Sequence, residues 1–413
     1  MNIASRFVPA LLLAALWIGG TAGCGGDGGK EAPGADAVDA ADADAAGEVA
    51  PVDVPEEAMG NDAAPDPIPG DEAPGDAVEA DASPYEDGAT AVVIASASQL
   101  MQGPIATGTV GDILLKNRYV RFIVRTQPLG LYNPFGGDLV DADIVREPGD
   151  EGHEQFLELF SMVGFGRILK PEKIEIVDDG TYSGQAVVRV TGIDHGMSII
   201  DMLTPTSPLY LHATVDYVLG PDAHEVQVVA AARNDASYDQ EVVVGTMLQF
   251  GKRSEKFYHR CGTDKDCLTG RSDVEWLAAQ AGDVSFGLGS GAGTTPQMLL
   301  AQDDILLLQG AKANLAAGQT LTSTLYLAVG AGTVDEVATR LQEVRGTTGL
   351  RAVTGTIAPG DSFSRMADVR VLARVAGAMT LGWMDASIPG DDGKVVLHLP
   401  DGTYDITVSV PGA

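Results

Sequence analysis

Basic residues, histidines and cysteines are scarce in this chain. Twenty-six Lys and Arg stand against 58 Asp and Glu among 413 residues, a formal net charge of −32. That balance, which persists when the acidic N-terminal stretch is set aside, argues against nucleic acid and anionic lipid headgroups as partners, because both need a basic face. Six histidines (His153, His195, His212, His224, His259, His398) are scattered, with no His-x-His pair. Metallohydrolase chemistry that gathers metals on such a pair therefore finds no start here. The three cysteines offer no catalytic nucleophile in a recognisable setting. A Gly-x-Ser-x-Gly elbow, a phosphate loop and a dinucleotide fingerprint are all missing. Gly287, Gly289 and Gly291 lack the fingerprint spacing and read as a loop. The one long apolar run, Phe7 to Gly20, falls short of the ~20 residues that span a bilayer.

That run has the length of a signal-peptide core, with Arg6 before it and small residues after it. Thr21-Ala22-Gly23-Cys24 follows. It resembles a bacterial lipobox, although Thr21 stands where Leu is usual. The resemblance implies a signal peptide over residues 1–23 and lipid attachment at Cys24. It also implies a membrane partner through that anchor and a place in the bacterial cell envelope. Gly25, rather than Asp, after the cysteine points to the outer membrane. An ordinary secretory signal with an incidental cysteine is the alternative.

Residues 24–89 form an acidic Ala/Asp/Pro/Gly tether. Positions 25–89 hold nineteen Asp and Glu against Lys30 alone, with Tyr85 the single aromatic residue. Such a segment buries too little apolar surface to offset chain entropy and is expected to be disordered. A flexible chain of that length spans ~45 Å, and self-repulsion extends it. With the tether and Arg6 set aside, residues 90–413 still carry a net charge of −15.

The remainder alternates with period two. Val120, Phe122 and Val124 share one face of a strand. Leu209, Leu211, Ala213, Val215 and Tyr217 oppose Tyr210, His212, Thr214 and Asp216. Val226 and Val228, then Leu325, Leu327 and Val329, repeat the pattern. One buried and one wet face marks antiparallel sheets, and many such strands between Gly, Pro and Asp predict an all-β fold. The expectation is a large antiparallel β-sandwich, in the supersandwich size range, over residues 90–350. One short helix closes it. Thr333 and Glu336 have capping-box spacing, Val334, Val337, Ala338, Leu341 and Val344 form a stripe, and Gly346 ends it.

A smaller unit is expected over residues 351–413. Its ending runs Asp392-Gly393, an apolar strand, Leu399-Pro-Asp-Gly-Thr-Tyr404, an alternating strand and Pro411-Gly412. This resembles the carboxypeptidase-regulatory-like (transthyretin-like) sandwich, usually a non-catalytic module. In the larger part, Gly111 to Asn117, Phe135 to Asp143, Gln155 to Phe160 and Leu327 to Gly330 resemble the N-terminal β-domain of lipidated PHP-type (CehA/McbA-like) metallohydrolases. In those proteins a hydrolase domain follows the regulatory-like sandwich. This chain stops at Ala413, so the resemblance implies a shortened relative or a fragment.

Few polar groups suggest a site. Asp138, Asp141, Asp143, Glu154 and Glu158 bracket a Gly-rich turn and are positioned to ligate calcium or grip sugar hydroxyls. Alternation puts Asp138 on the face opposite Asp141 and Asp143, so a solvated acidic edge is the expectation. His212 and His224 fall on or beside neighbouring strands, His212 on a polar face. Cys261 and Cys267 enclose Gly-Thr-Asp-Lys-Asp, a loop that can close as a disulfide outside the cytoplasm and stabilise locally by ~2 kcal/mol. Asp264 and Asp266 as a calcium pair, or free thiols, are the alternatives.

No cofactor is expected. Two functions stay open: a non-catalytic binding or scaffolding protein for a glycan or an envelope protein, and the accessory half of a metal-dependent hydrolase. A mutarotase-like enzyme is a third, without a motif to carry it. The anchor itself is testable. Cys24→Ser should move the protein from the membrane fraction to the soluble fraction of its host, and continued membrane retention would refute lipid attachment at that residue.

Overall fold

The computed structural model describes residues 88–410 except 131, 151, 199–200, 202–205, 252–253, 269–270, 303–304, 359–364 and 379–381. Cys24, the expected signal peptide and nearly all of the expected tether lie outside the described residues. The order of antiparallel strands begins as a nine-strand path. It runs β1 (Thr90–Val93), β2 (Ile113–Lys116), β3 (Val120–Val124), β4 (Leu139–Ile144), β5 (Phe156–Val163) and β6 (Arg167–Asp179). It continues through β7 (Ala186–Gly196), β8 (Leu211–Leu219) and β9 (Glu225–Asn234). From β9 the sheet passes to β16 (Thr320–Gly330), β13 (Val284–Ser290), β12 (Trp276–Ala281) and β11 (Glu255–Tyr258). A branch leaves β5 through β10 (Gln240–Phe250) to β15 (Ile305–Leu315) and β14 (Gln297–Gln302).

The alternation sets the register. Leu219 faces Val226, Tyr217 faces Val228, Val215 faces Ala230 and Ala213 faces Ala232, and all eight are buried. Each of the larger side chains contributes about 1.5–3 kcal/mol by leaving water. A slip of one residue would turn the whole row outward. These residues meet the inward side chains of β2 to β5 and β10 in one core. Tyr217 fastens the two layers, its hydroxyl donating to the Gly137 carbonyl at 2.8 Å.

The Gly287-Leu-Gly289 run is a strand, not a loop: it lies within β13. Its glycines have a packing reason. A Cβ on Gly287 would come within 2.9 Å of Val337 and Leu341, so the bare backbone lets the helix α1 (Val334–Val344) settle on the sheet. Thr333 caps that helix by accepting the Glu336 N–H. The capping box is only half built, because the Glu336 carboxylate accepts from Ala331 N–H instead. Val334, Val337, Ala338 and Leu341 are buried, as the stripe predicts.

Five further strands form two small sheets. β17 (Arg351–Thr356) pairs with β20 (Lys394–Leu399), and β18 (Arg370–Val375) lies between β19 (Trp383–Ser387) and β21 (Tyr404–Ser409). Val369, Val371 and Ala373 meet Val395, Leu397 and Leu399 in their core. β21 departs from expectation. Ile406 and Val408 stay 48% and 46% exposed, although their partners Ala373 and Val371 are buried. The facing sheet has two strands against three, which leaves the inner side of β21 partly uncovered.

The small sheets dock on α1 and on the 261–267 loop. Arg260 N–H donates to the Trp383 carbonyl, and Gly382 N–H returns to Arg260. Gly262 has φ +64°, and a Cβ there would meet the Trp383 ring at 2.8 Å. At the other end of the junction, Asp335 of α1 accepts from His398 N–H and bonds His398 Nδ1 at 2.8 Å. Asp385 is fully buried beside it, and burial, then its contact with Asp335, raises that carboxyl well above the usual range. A neutral Asp385 can share a proton with the Asp335 carboxyl that holds His398. Asp335→Ala should lower unfolding free energy by about 1–3 kcal/mol, the loss of a buried acceptor that holds His398 through two hydrogen bonds. Asp385→Asn, which keeps a neutral donor, should cost far less. Urea unfolding followed by tryptophan fluorescence compares the two, and equal losses would contradict the neutral state of Asp385.

Candidate functional site

The five carboxylates do not form a solvated edge. Asp138, Asp141, Asp143, Glu154 and Glu158 are all buried. Segments before β2 and before β4 cover them and supply amide donors, a coverage that strand alternation cannot reveal. Thr107 and Gly108 N–H groups donate to Asp141 at 2.8 and 2.9 Å. Tyr132 and Asn133 N–H groups donate to Glu158, and Arg146 holds Asp143 through two nitrogens. Asp138 lies 3.5 Å from the Arg125 guanidinium and beside the Glu158 carboxyl. Burial, then repulsion from Glu158, pushes the Asp138 carboxyl well up. Burial raises Asp141 to about 6. Burial, then the charge of Asp141, raises Glu154 to about 10. Among the described residues no three His, Cys, Asp or Glu side chains are grouped to hold a metal ion.

The other sequence candidates also separate. His212 sits opposite Arg233 in the β8–β9 hairpin, whereas His224 lies at its turn end and stacks on Tyr119 at 4.2 Å. Burial lowers the His224 imidazole. Cys261 and Cys267 are joined in a disulfide with Cα atoms 5.7 Å apart. Asp264 caps the short turn between them by accepting Asp266 and Cys267 N–H groups, and Asp266 pairs with Lys265. A shared calcium site therefore loses its first ligand to backbone.

The site that sequence reasoning missed is an open cleft of about 840 Å³ beside the end of β7, the start of β8 and the turn after β9. Its construction begins with Asp194. This buried carboxylate accepts Leu209 N–H at 2.9 Å and Leu211 N–H at 2.7 Å, one on each oxygen. Arg167, also buried, donates Nε to it at 2.5 Å and reaches Thr206 through Nη1. The two amides that flank Tyr210 are thus pinned to one group, and Tyr210 between them takes φ 54°. A non-glycine residue there costs about 1–2 kcal/mol. Its carbonyl is fixed by Asp235 N–H at 3.0 Å. The clamp turns the Tyr210 ring outward, 61% exposed, and Tyr238 lines the same cleft at 54%. This also explains why β8 begins at Leu211 rather than at Leu209.

Polar groups complete the wall. Asp201 accepts Thr206 N–H and Oγ1 on its Oδ1, and the Thr206 bond holds the carboxyl below its ordinary range. Asp235 is held down by Arg233. His195 bonds the Gly196 carbonyl through Nδ1 and meets the Phe135 ring edge-on at 4.7 Å. Two exposed phenols, ionised carboxylates and an imidazole suit a ligand with flat apolar faces and many hydroxyls. No sequence signal marks a tyrosine for positive φ. Tyr210 alternates like its neighbours.

No family model matches the chain, and no curated protein matches it. Among solved structures, a TPR-domain protein from Parabacteroides distasonis shares 12% identity over 53% of this chain and 47% of its own length, with a TM-score of 0.37. A galactose mutarotase-like protein from Lactobacillus casei shares 11% over 53% of this chain and 100% of its own, at 0.33. A GH36 α-galactosidase from Geobacillus stearothermophilus shares 9% over 58% and 44%, at 0.36. The chain spans about half the length of the first and the third of these proteins. Scores of this size assign neither a family nor an activity.

The buried carboxyls generate a pH test. Folded Glu154 keeps its proton to about pH 10, whereas its ordinary value is 4.5. Folding therefore takes up a proton in that window, and this contribution to stability is present at low pH and lost as pH rises through it. Glu154→Gln should flatten the fall of unfolding free energy with pH by up to about 1.4 kcal/mol per unit. It should leave stability near about pH 4 almost unchanged, where both states are neutral. Urea unfolding across the pH range checks it, and parallel curves for the two proteins would show that Glu154 is ionised when folded.

Proposed function

We propose that this chain is a non-catalytic glycan-binding protein of the bacterial cell envelope, held to the membrane by lipid on Cys24, with the tyrosine cleft as its binding site. The observation that carries the reading is the Asp194 clamp. It keeps Tyr210 in a costly conformation whose visible result is an aromatic ring held out over a cleft. Rings of that kind stack on the C–H faces of pyranose sugars, and fixed carboxylates accept their hydroxyls. The cleft volume falls in the range of small-ligand sites. A protein partner usually needs a broad patch of about 800 Å² per side, so an oligosaccharide fits the cleft better. The acidic tether, on this reading, gives the cleft reach away from the envelope surface.

An array of oligosaccharides, followed by calorimetry on the full chain, tests the proposal. Tyr210→Ala should weaken binding of the best ligand by about 1 kcal/mol, roughly fivefold. Tyr210→Gly should abolish the same contact while leaving stability equal or higher by up to about 1 kcal/mol, because glycine accepts the positive φ. Destabilisation by both variants with unchanged affinity would make Tyr210 a packing residue and remove the reading.

A further inference from the structure

β21 is an open edge of the small sandwich. Among the described residues it pairs with β18 alone. Every residue from Asp405 to Ser409 is exposed. On the inner face both ends of the strand are packed, Tyr404 and Val410 lying against the small core. Ile406 and Val408 between them are not. An edge strand offers unpaired N–H and C=O groups, and monomeric proteins blunt it with lysine, proline or a bulge. β21 carries none of these. Its residues are Tyr-Asp-Ile-Thr-Val-Ser, and its register with β18 runs unbroken from Tyr404 to Ser409. By contrast, β11 at the end of the large sheet carries Lys256, and β17 carries Arg351.

One bond fixes which backbone groups of β21 point outward. Ala376 N–H donates to the Thr403 carbonyl at 2.9 Å, and these residues stand opposite each other where the β18–β21 register continues. An antiparallel ladder bonds every second pair. Asp405, Thr407 and Ser409 therefore turn their backbone groups to β18, and Ile406 and Val408 turn theirs to the free edge. An identical strand laid antiparallel, with Thr407 on the two-fold axis, sets Ile406 against Val408 and Val408 against Ile406. Each such pair exchanges both of its N–H···O bonds. Tyr404 falls opposite Val410 and Asp405 opposite Ser409, so no like charges meet. Asp405 already has a cation in its own sheet, Arg374 at 3.6 Å. The uncovered Ile406 and Val408 side chains become cross-strand neighbours on the inner face, where β-branched pairs stabilise a sheet.

We infer that β21 is a dimerisation edge whose partner is β21 of a second copy of this chain. Two three-stranded sheets join into one continuous sheet. The contact uses the same strand on both sides, so it closes at two copies. It is a small contact, one strand from each chain, so the dimer forms at high concentration and dissociates on dilution. The edge shares no residue with the tyrosine cleft.

The test is sedimentation velocity on the full chain carrying Cys24→Ser, which removes lipid and a Cys24 disulfide as causes of association. The average mass should rise from one chain below about 1 µM towards two chains above about 100 µM. Thr407→Lys sets two ammonium groups against each other across the axis, at a position exposed in the single chain. It should weaken self-association at least about tenfold with an unchanged far-UV circular dichroism spectrum. Thr354→Lys, on the exposed strand β17, should change neither. Thr407→Cys should oxidise to a covalent dimer on non-reducing gels, because facing residues of a non-hydrogen-bonded pair stand about 4.5 Å apart between Cα atoms. Thr354→Cys should cross-link at least about tenfold more slowly. A chain that stays single at about 100 µM overturns the inference. So does a dimer that survives Thr407→Lys, or one that Thr354→Cys traps as fast as Thr407→Cys.

Discussion

A carboxylate removed from water must be met by a proton, a guanidinium or a set of amide N–H groups. This molecule depends on all three. Glu154 and Asp385 take the proton. Asp143 takes Arg146, and Asp141 takes the amides of Thr107 and Gly108. Asp194 takes a guanidinium and two amides at once. So many buried acids in one β-protein require covering segments with well-placed donors. The stretches before β2 and β4 are therefore structural parts of the sandwich, although they carry little regular structure.

The link from that constraint to the cleft runs through Asp194. Alternation places it on β7 between Ile193 and His195, and its pairing in β6–β7 puts it opposite Leu169. Arg167, two residues away on β6, then becomes its cation. A buried ion pair is weak evidence for stability, because the desolvation cost offsets much of the attraction. Here its contribution lies elsewhere. With its charge balanced, the carboxylate can hold two amides of one chain segment and force the residue between them into left-handed space. The pair specifies a conformation, and the conformation presents a ring.

How much of this could be read from the sequence differs sharply between elements. The rows of β8 and β9 were legible because one face is core and the other wet. The helix was legible from its cap and stripe. The Gly287–Gly289 strand was not, because what glycine does there is admit a helix from elsewhere in the chain, and the local pattern has no trace of that partner. The buried acids were misread for a similar reason: strand alternation says which face a residue takes, not whether another segment covers that face. Tyr210 was legible as a strand residue and wrong as one, since its φ is imposed by a carboxylate sixteen positions earlier. The lower exposure expected on the inner face of β21 failed through a strand count in the opposite sheet.

The two kinds of acid in this chain therefore behave differently. Residues 90–413 carry a formal charge of −15, but Glu154 holds its proton to about pH 10 and Asp138 and Asp385 are pushed the same way. The folded part is less negative at neutral pH than its composition states. Asp201 and Asp235 at the cleft go the other way, each held below its ordinary range by local bonds. The interior is thereby neutralised while these two carboxylates stay charged at the cleft. In a molecule whose overall sign repels anions at long range, the charge at the cleft is set by these local bonds rather than by the net count of acids.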